Sequence, residues 1–576
     1  MRSIIIAIFG LLMSISVLSQ DTIRRSYAFS DGVIPRNVLE SYLSRAITQG
    51  EFCTPPSEAI FEENLRMIRN IGAKFIGRAA FEWTPIMGNE SHFALAEQYA
   101  AKAHAADPEL VLQACVFEAV FKSEHNTFSN YGVDKIAVPD WVFEAYGLEP
   151  ETRNFNYEAM LFPDGTHEWL WGFGAAPDIT QLETQLYFYY RAARYIDAGF
   201  EAIHWGQAML VGVNDEPNDY AVWFDLLGKV RAYAKEHARR GTVFNDAHVI
   251  YGMKSSDGRL LMDSHAFPQR VVDICGQPYE VEMQIGHGDA IYTKSMGGIT
   301  ASGWECESLP YMVEFDNSGA DDVHTCDNPS WYWPWGWDEA TWFAHNTPEY
   351  RDYYLRYAVN WIAENDPVGN LEMPGSITIS ADPIPIEGTD RFIWYYRLNN
   401  PSPLLPYAFG QEDVVREIWD LDKMNIQKPE KRETHPLASV HTIKFDSESM
   451  MIKYTNGDEE SLDHASYNYV DFSMESDSIL KIIPDTTTSV SLQEPKVLDG
   501  AVYPNPFNDH IIVEIPAQEV YPVTVSIYDL NGRELLSRSY YHEGRYGIAT
   551  TTMEGGVYIC RFDSVTGSVT HKVIKQ

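Results

Sequence analysis

Between residues 65 and 425, short apolar runs alternate with amphipathic stretches of helical period, and this alternation constrains the fold most strongly. The runs that predict strands are Ala73–Ala79, Leu110–Glu118, Phe200–Trp205, Thr242–Ala247, Leu260–His265, Val281–Ile285, Tyr311–Phe315 and Asn370–Met373. The helical patterns between them are Glu90–Ala106, Thr180–Ala198, Ala221–Arg240 and Pro348–Ala363. Such alternation predicts a parallel sheet with helical crossovers.

The number of predicted strands favours a (β/α)8 barrel of the TIM type within residues 20–425, preceded by an N-terminal extension. No Gly-x-Gly-x-x-Gly turn follows the first predicted strand, which disfavours a dinucleotide-binding sheet. The link from Ala247 to Leu260 is too short for a helix and predicts a turn at Asp257-Gly258. Long loops at 122–179 and 317–347 are predicted insertions on the active face.

A different pattern follows the barrel. Alternating apolar residues between 437 and 475, with an Asn456-Gly457 turn, predict a small β module within 437–480. The segments 424–436 and 483–498 have the composition of linkers.

The first 19 residues have the pattern of a signal peptide. Arg2 precedes an apolar run from Ile4 to Leu18, and small or compact residues place the predicted cleavage before Gln20. The run is shorter than the roughly 20 residues that cross a bilayer. No later segment is apolar for that length, so we expect no transmembrane helix.

Three blocks near the carboxyl terminus carry a family resemblance. They are Val502-Tyr503-Pro504-Asn505-Pro506-Phe507, the run from Val525 to Glu534 with its Asn531-Gly532 turn, and the run from Gly556 to Phe562 followed by His571–Gln576. In this order they resemble the type A C-terminal sorting domain of the type IX (Por) secretion system, over residues 498–576. The resemblance implies a small β-sandwich, an interaction with the type IX machinery, and passage through the periplasm and across the outer membrane. It also implies that the domain is removed or used for surface attachment, so the protein is expected to be secreted or attached to the cell surface.

Composition narrows the possible partners and cofactors. The net charge of −39, from 43 basic and 82 acidic residues without a basic stripe, disfavours nucleic acid and anionic membranes. Six cysteines are too few for a disulfide scaffold, but Cys306 and Cys326 flank one loop and are a predicted pair. No zinc spacing or glycine-rich nucleotide loop is present, so neither a metal nor a cofactor is expected.

The predicted strands end in polar residues, where a barrel presents its functional groups. The candidates are Glu118, His204, Gln207, Asn245, Asp263, His265, Glu314 and Asp316. Tryptophans are also concentrated in the loops, among them Trp304 and several between 331 and 337, and aromatic planes are suited to stacking on sugar rings. We therefore expect a carbohydrate substrate, with His204, Gln207, Asn245, His265, Trp304 and Asp316 as substrate-binding candidates.

Glycoside hydrolysis requires two carboxyl groups, one protonated and one ionised. Glu314, in Val313-Glu314-Phe315, resembles the nucleophile-bearing strand end of retaining barrel glycosidases, and this short pattern leaves the family unassigned. Glu118 is the predicted partner and Asp263 the reserve. The Asn-Glu pair of such enzymes is replaced by Asn245-Asp246, which leaves both the acid and the stereochemical outcome open.

Two alternatives to a glycoside hydrolase stay open. One is a surface glycan-binding protein whose barrel has lost catalysis. The other is a metal-dependent hydrolase that uses His204, Asp263, His265 and His287. The second is the weaker, because the predicted first strand, Ala73–Ala79, has no His-x-His.

Overall fold

Eight parallel strands form a barrel in the larger of two structural units. The computed structural model describes residues 32–317 and 332–419 (except 171, 173, 250 and 251), residues 22–24, 27 and 29, and the strands and short links named below between 423 and 575. The barrel strands are β1 (Ala46–Gln49), β2 (Phe75–Ala80), β3 (Val111–Cys115), β4 (Ala202–His204), β5 (Phe244–His248), β6 (Ser264–Pro268), β7 (Tyr311–Glu314), β8 (Gly369–Leu371) and β9 (Met373–Thr378).

The eighth barrel position is occupied by two consecutive strands, β8 and β9, and this closes the sheet. Val313 in β7 lies opposite Leu371 in β8, whereas Met373 in β9 lies opposite Ile47 in β1. The chain therefore changes partners at Glu372, and the two edges of the parallel sheet meet there. The predicted (β/α)8 barrel is confirmed.

Helices cover most of the barrel. They are α1 (Arg36–Leu43), α2 (Glu58–Ile71), α3 (Asn89–Ala106), α4 (Asp140–Ala145), α5 (Leu182–Asp197), α6 (Ala208–Val211), α7 (Ala221–His237), α8 (Glu339–His345), α9 (Pro348–Asn365) and α10 (Glu412–Trp419). Within the described residues, no helix connects β5 to β6 or β6 to β7. The first of these links contains the predicted turn, in which the Gly258 amide donates to the Ser255 carbonyl.

Alternate residues of each strand face the barrel interior and the helix layer, as the two-residue period requires. Outward residues such as Ile47, Ile76, Leu112, Ile203 and Phe267 belong to the main apolar core. The inward residues at the amino-terminal end form a separate apolar cluster that includes residues of α1: Leu39, Tyr42, Ala46, Phe75, Val111, Ala202, Phe244 and Met312. This apolar plug closes the lower half of the barrel and leaves the carboxyl ends of the strands for polar chemistry.

Two strand predictions are wrong. The first barrel strand, Ala46–Gln49, was not predicted, because it is short and half of its residues are polar. The run Val281–Ile285 is not part of the barrel; only Val281–Glu282 is extended, and it pairs with Val272–Asp273. Apolar and polar residues alternate in Val281–Ile285, and this period alone does not separate a barrel strand from a hairpin in a link.

Two antiparallel sheets follow the barrel. One contains Lys423–Gln427, Arg432–Pro436, Tyr469–Met474 and Ser478–Ile482 with the N-terminal strand Thr22–Arg24; the other contains Val440–Phe445, Ser449–Tyr454 and Glu459–Asp463. Met424 and Ile426 of the first sheet share an apolar core with Met450 and Ile452 of the second. The predicted linker at 424–436 is thus a hairpin, whose alternate apolar residues are buried despite its charged turn. The linker predicted at 483–498 lies outside the described residues.

The second unit, residues 484–576, is built from antiparallel strands. They are Ala501–Tyr503, His510–Ile515, Val523–Tyr528, Glu534–Tyr540, Gly544–Ala549, Gly556–Ser564 and Gly567–Lys575. They form a three-stranded and a four-stranded sheet that share one apolar core, with Ile511 and Val513 from the first and Val525 and Ile527 from the second. The predicted small β-sandwich is confirmed.

Two further predictions concern membranes and disulfides. None of the described helices is long and apolar enough to cross a membrane. Residues 1–19, the predicted signal peptide, and Cys326 lie outside the described residues. Cys306 is a buried free thiol that donates to the Gly298 carbonyl, so the predicted disulfide is not formed in this structure.

Candidate active site

A cluster of charged and polar side chains occupies the carboxyl-terminal half of the barrel interior. Its members come from six barrel positions: Arg78, Gln113, His204, Asp246, His248, Glu314 and Glu372. Four of them, Gln113, His204, Asp246 and Glu314, lie two residues beyond an inward apolar residue of the plug on the same strand. The same alternation that fills the lower barrel with apolar groups therefore collects these groups at the mouth.

Glu314, at the end of β7, is the centre of the cluster. Its Oε2 accepts a hydrogen bond of 2.7 Å from Arg78 Nη2, and its Oε1 is hydrogen-bonded to His248 Nε2. Burial alone raises the pKa of this carboxyl group, but the positive charges of Arg78, His248 and His204 outweigh it and lower the pKa below its usual value. Glu314 is consequently an ionised carboxylate in a nearly dry site.

Arg78 has an unusual backbone. Its φ of +54° places a non-glycine residue in the left-handed region. Its amide donates to Gln113 Oε1 at 3.0 Å, which anchors this conformation to β3. Such strain costs on the order of 1–3 kcal/mol and is found preferentially at functional sites.

A second hydrogen-bonded chain runs beside Glu314. Gln113 Nε2 donates to Asp246 Oδ1 at 2.7 Å, and Asp246 Oδ2 lies 2.8 Å from His204 Nδ1. The His204 ring is in edge-to-face contact with the His248 ring, with centroids 5.0 Å apart. The other ring nitrogen of His204, Nε2, is buried and has no hydrogen-bond partner among the described residues.

Glu372, between β8 and β9, is the third carboxyl group of the interior, after Glu314 and Asp246. Burial, together with the negative charge of Glu314, raises its pKa to about 8. Its Oε1 is buried without a hydrogen-bond partner among the described residues, and it lies so close to Gly77 that no Cβ fits there. At neutral pH Glu372 is therefore protonated while Glu314 is ionised, which is the division of roles that acid–base catalysis requires.

Three of the sequence-predicted residues lie on loops at the same end of the barrel. Glu118 follows β3 and is buried, and its Oε2 accepts from the backbone amide of Gln207 at 3.0 Å. Gln207 is exposed on the loop after β4. Asp316, two residues after β7, accepts from Arg270 Nη2 at 3.2 Å.

The structure places four other candidates away from the mouth. Asp263 precedes β6 and so lies at the amino-terminal edge, where its Oδ2 accepts from the Asn245 amide and from Arg231 Nη2. Asn245 faces the helix layer, and its Oδ1 accepts from the Trp205 indole at 3.0 Å. His265 alternates with inward Ala266, and burial lowers its pKa to about 4.

Trp304 is the fourth candidate that lies away from the mouth. Its indole donates to the Ile34 carbonyl at 2.9 Å, and its ring packs against the plug and against the guanidinium of Arg36. These contacts place it at the closed end of the barrel. Of the other tryptophans, Trp337 stacks on Tyr279, and Trp331 lies outside the described residues.

His265 faces outward and His204 faces the barrel interior, so the two cannot bind the same ion. This weakens the alternative of a metal-dependent hydrolase. Within the described residues, no group of three or more histidine, cysteine, aspartate or glutamate side chains is arranged to hold a metal.

Sequence reasoning missed Arg78, Asp246, His248 and Glu372 as site residues. A signal was present for two of them, since Arg78 and Glu372 are charged residues inside the predicted strands Ala73–Ala79 and Asn370–Met373. A buried charge requires a partner or a function.

Comparison with known proteins identifies one part of the chain. Residues 501–576 match a family described as the secretion system C-terminal sorting domain. This confirms the resemblance noted above, and the domain indicates export followed by secretion or cell-surface attachment. A comparison with curated proteins gave no match.

Several solved structures align with the chain at low similarity. A γ-CGTase from an alkalophilic Bacillus clarkii has 8% identity and a TM-score of 0.31, covering 93% of this chain and 83% of that one. An endo-β-1,4-mannanase from Thermotoga petrophila has 8% identity and a TM-score of 0.30, covering 92% and 97%. An FMN-binding β-glucuronidase from Facaelibacterium prausnitzii has 9% identity and a TM-score of 0.27, and the chain spans 56% of its length. The barrel assignment stands on the strand pairing described above.

Proposed function

We propose that the chain is an exported glycoside hydrolase whose active site is the barrel mouth around Glu314. One observation carries the proposal: a buried carboxylate at the end of the seventh strand is kept ionised by Arg78 and His248. An ionised carboxylate in this setting is able to attack an anomeric carbon or to activate a water molecule.

The second catalytic group in this proposal is a carboxylic acid that protonates the leaving oxygen. Glu372 supports this role through its raised pKa, and its proton is retained up to about pH 8. Glu118, the sequence-predicted partner, is the alternative, because it lies on the loop after β3 at the same end of the barrel. If Glu372 is the acid, turnover should fall as the pH rises above about 8, where its proton is lost.

The sorting domain supports a substrate outside the cytoplasm. Many polysaccharides lie outside the cell, and their hydrolysis by two carboxyl groups uses only water and those side chains. An exported two-carboxylate site therefore agrees with the destination that residues 501–576 indicate.

The test is the release of reducing sugar from a polysaccharide panel by wild-type protein, Glu314→Gln and Glu387→Gln. Glu387 is an exposed carboxylate outside the mouth and serves as the matched control. We expect Glu314→Gln to lower turnover by orders of magnitude and Glu387→Gln to leave it unchanged. If Glu314→Gln retains more than about a tenth of wild-type turnover, the activation barrier has risen by less than ~1.4 kcal/mol, and Glu314 is not catalytic.

A non-catalytic glycan-binding protein is the second candidate. Two observations favour it. The end of β4 carries His204 and Trp205 instead of a carboxyl residue. Both Glu314 oxygens are already hydrogen-bonded, one to Arg78 and one to His248. Binding of a saccharide without release of reducing sugar, in wild-type protein, would identify this function.

A further inference from the structure

A cavity of about 610 Å³ lies outside the Glu314 cluster, at the carboxyl-terminal edge of β2 and β3. Its walls are the loop that follows β2, the start of the long insertion after β3, and one face of α5. The lining residues used below are Glu82, Trp83, Phe121, Tyr131, Arg191 and Arg194. The catalytic proposal uses none of them.

The charges on the cavity wall are paired. Arg191 Nη1 donates to Glu82 Oε2 at 3.2 Å, and Arg194 makes a two-pronged contact with Glu90 at 3.0 Å. Lys135, the other cation of the lining, is also paired, with a carboxylate oxygen at 3.3 Å. None of these cations is left to neutralise an acidic ligand. The cavity is therefore suited to an uncharged molecule.

Glu82 provides an unsatisfied acceptor. Its side chain is only 8% exposed, and its Oε1 is buried without a hydrogen-bond partner among the described residues. His92 Nδ1 lies 3.8 Å from it, beyond hydrogen-bond range. An unpaired buried acceptor is costly, and this one belongs to a residue that lines the cavity.

Aromatic side chains also line the cavity. Trp83 and Phe121 are in edge-to-face contact with centroids 5.6 Å apart, and Tyr131 is 41% exposed. Aromatic planes beside a few directed acceptors are the usual arrangement of a small-molecule site.

The cavity also adjoins the catalytic cluster along the chain. Glu82 and Trp83 follow Arg78, whose guanidinium binds Glu314. On the same side, the Phe81 ring contacts Phe117, which in turn contacts His204. We propose that this cavity binds an uncharged pyranose unit of the saccharide that the mouth acts on, and this inference rests on the proposed function.

The experiment measures calorimetric binding of neutral and uronate oligosaccharides to the full chain carrying Glu314→Gln, so that the ligand is not cleaved. Trp83→Ala and Tyr131→Ala are introduced separately into this background. The matched control is Tyr407→Ala, a tyrosine 47% exposed and outside the cavity wall. We expect the two cavity variants to weaken neutral oligosaccharide binding about tenfold, which is ~1.4 kcal/mol, and the control to bind as the parent does.

The outcomes separate this inference from the catalytic proposal. Unchanged affinity in both cavity variants, or preference for uronate ligands, overturns the cavity assignment even if Glu314→Gln abolishes hydrolysis. If the cavity variants bind more weakly but the wild-type protein hydrolyses nothing on the panel, the cavity assignment stands and the catalytic proposal is overturned. Absence of binding to every neutral oligosaccharide overturns the cavity assignment as well.

Discussion

Arg78 in the second strand and Glu314 in the seventh are joined across the barrel mouth by a hydrogen bond of 2.7 Å between Nη2 and Oε2. Both side chains are largely withdrawn from water, with 14% and 3% of their surface exposed. The pair therefore connects opposite parts of the barrel wall and fixes the charge state of its central carboxylate.

Arg78→Met is expected to destabilise the protein by about 3–5 kcal/mol at pH 7, because a buried carboxylate loses its main partner. The lowered pKa of Glu314 contributes stability that is present above the ordinary carboxyl pKa of 4.5 and is lost as pH falls through the folded value. The difference from wild type in chemical unfolding should therefore be complete at pH 7 and shrink as the pH falls below 4.5. An equal difference at pH 7 and at the lowest pH at which both proteins fold would contradict an ionised pair.

Glu372→Gln tests the raised pKa of Glu372, a shift opposite in direction to that of Glu314. The folded pKa is raised from 4.5 to about 8, so the stability that the protonated form contributes is complete below pH 4.5 and is lost as pH rises through 8. We expect the variant to gain stability relative to wild type as pH rises from 5 to 8.5. Parallel melting curves across this range would place an ionised Glu372 in the folded protein.

Asp263→Ala should affect stability and leave the site intact. The change leaves the Asn245 amide without its acceptor and removes the carboxylate partner of Arg231, which keeps only the Leu261 carbonyl, at a cost of roughly 2–4 kcal/mol. The melting temperature should fall while turnover of the folded fraction is unchanged. A selective loss of turnover at an unchanged melting temperature would restore Asp263 as a catalytic candidate.

Processing at both termini is expected in the secreted form. Cleavage before Gln20 and removal of much of the region beyond about 498 follow from the signal-peptide pattern and the sorting domain. Intact mass and N-terminal sequencing of secreted protein check this. A full-length product retained in the periplasm would rule it out.

The sequence predicts the barrel well where strands are apolar on both faces, as in β7, where Tyr311, Met312 and Val313 are all buried. It fails for β1, because Thr48 and Gln49 are polar yet buried inside a closed barrel. Burial of such residues depends on strands far away in the chain, and a local pattern does not contain that information.

The site was predicted less completely for a related reason. Adjacent residues of a strand face opposite sides, so a shift of one residue exchanges the interior and exterior sets. Asn245 and Asp246 illustrate this: the first contacts Trp205 in the outer layer, and the second holds His204 inside the barrel. Only the register of the closed sheet distinguishes them.

The change of partners at Glu372 also determines when the barrel can be completed during synthesis. Ile47 is among the first barrel residues to leave the ribosome, and its partner Met373 is among the last. Until then both β1 and β7 expose unpaired backbone groups, which are templates for pairing with other chains. A nascent or truncated chain that ends before residue 369 should therefore aggregate, and its safe transit depends on protection of these two edges until the final strand arrives.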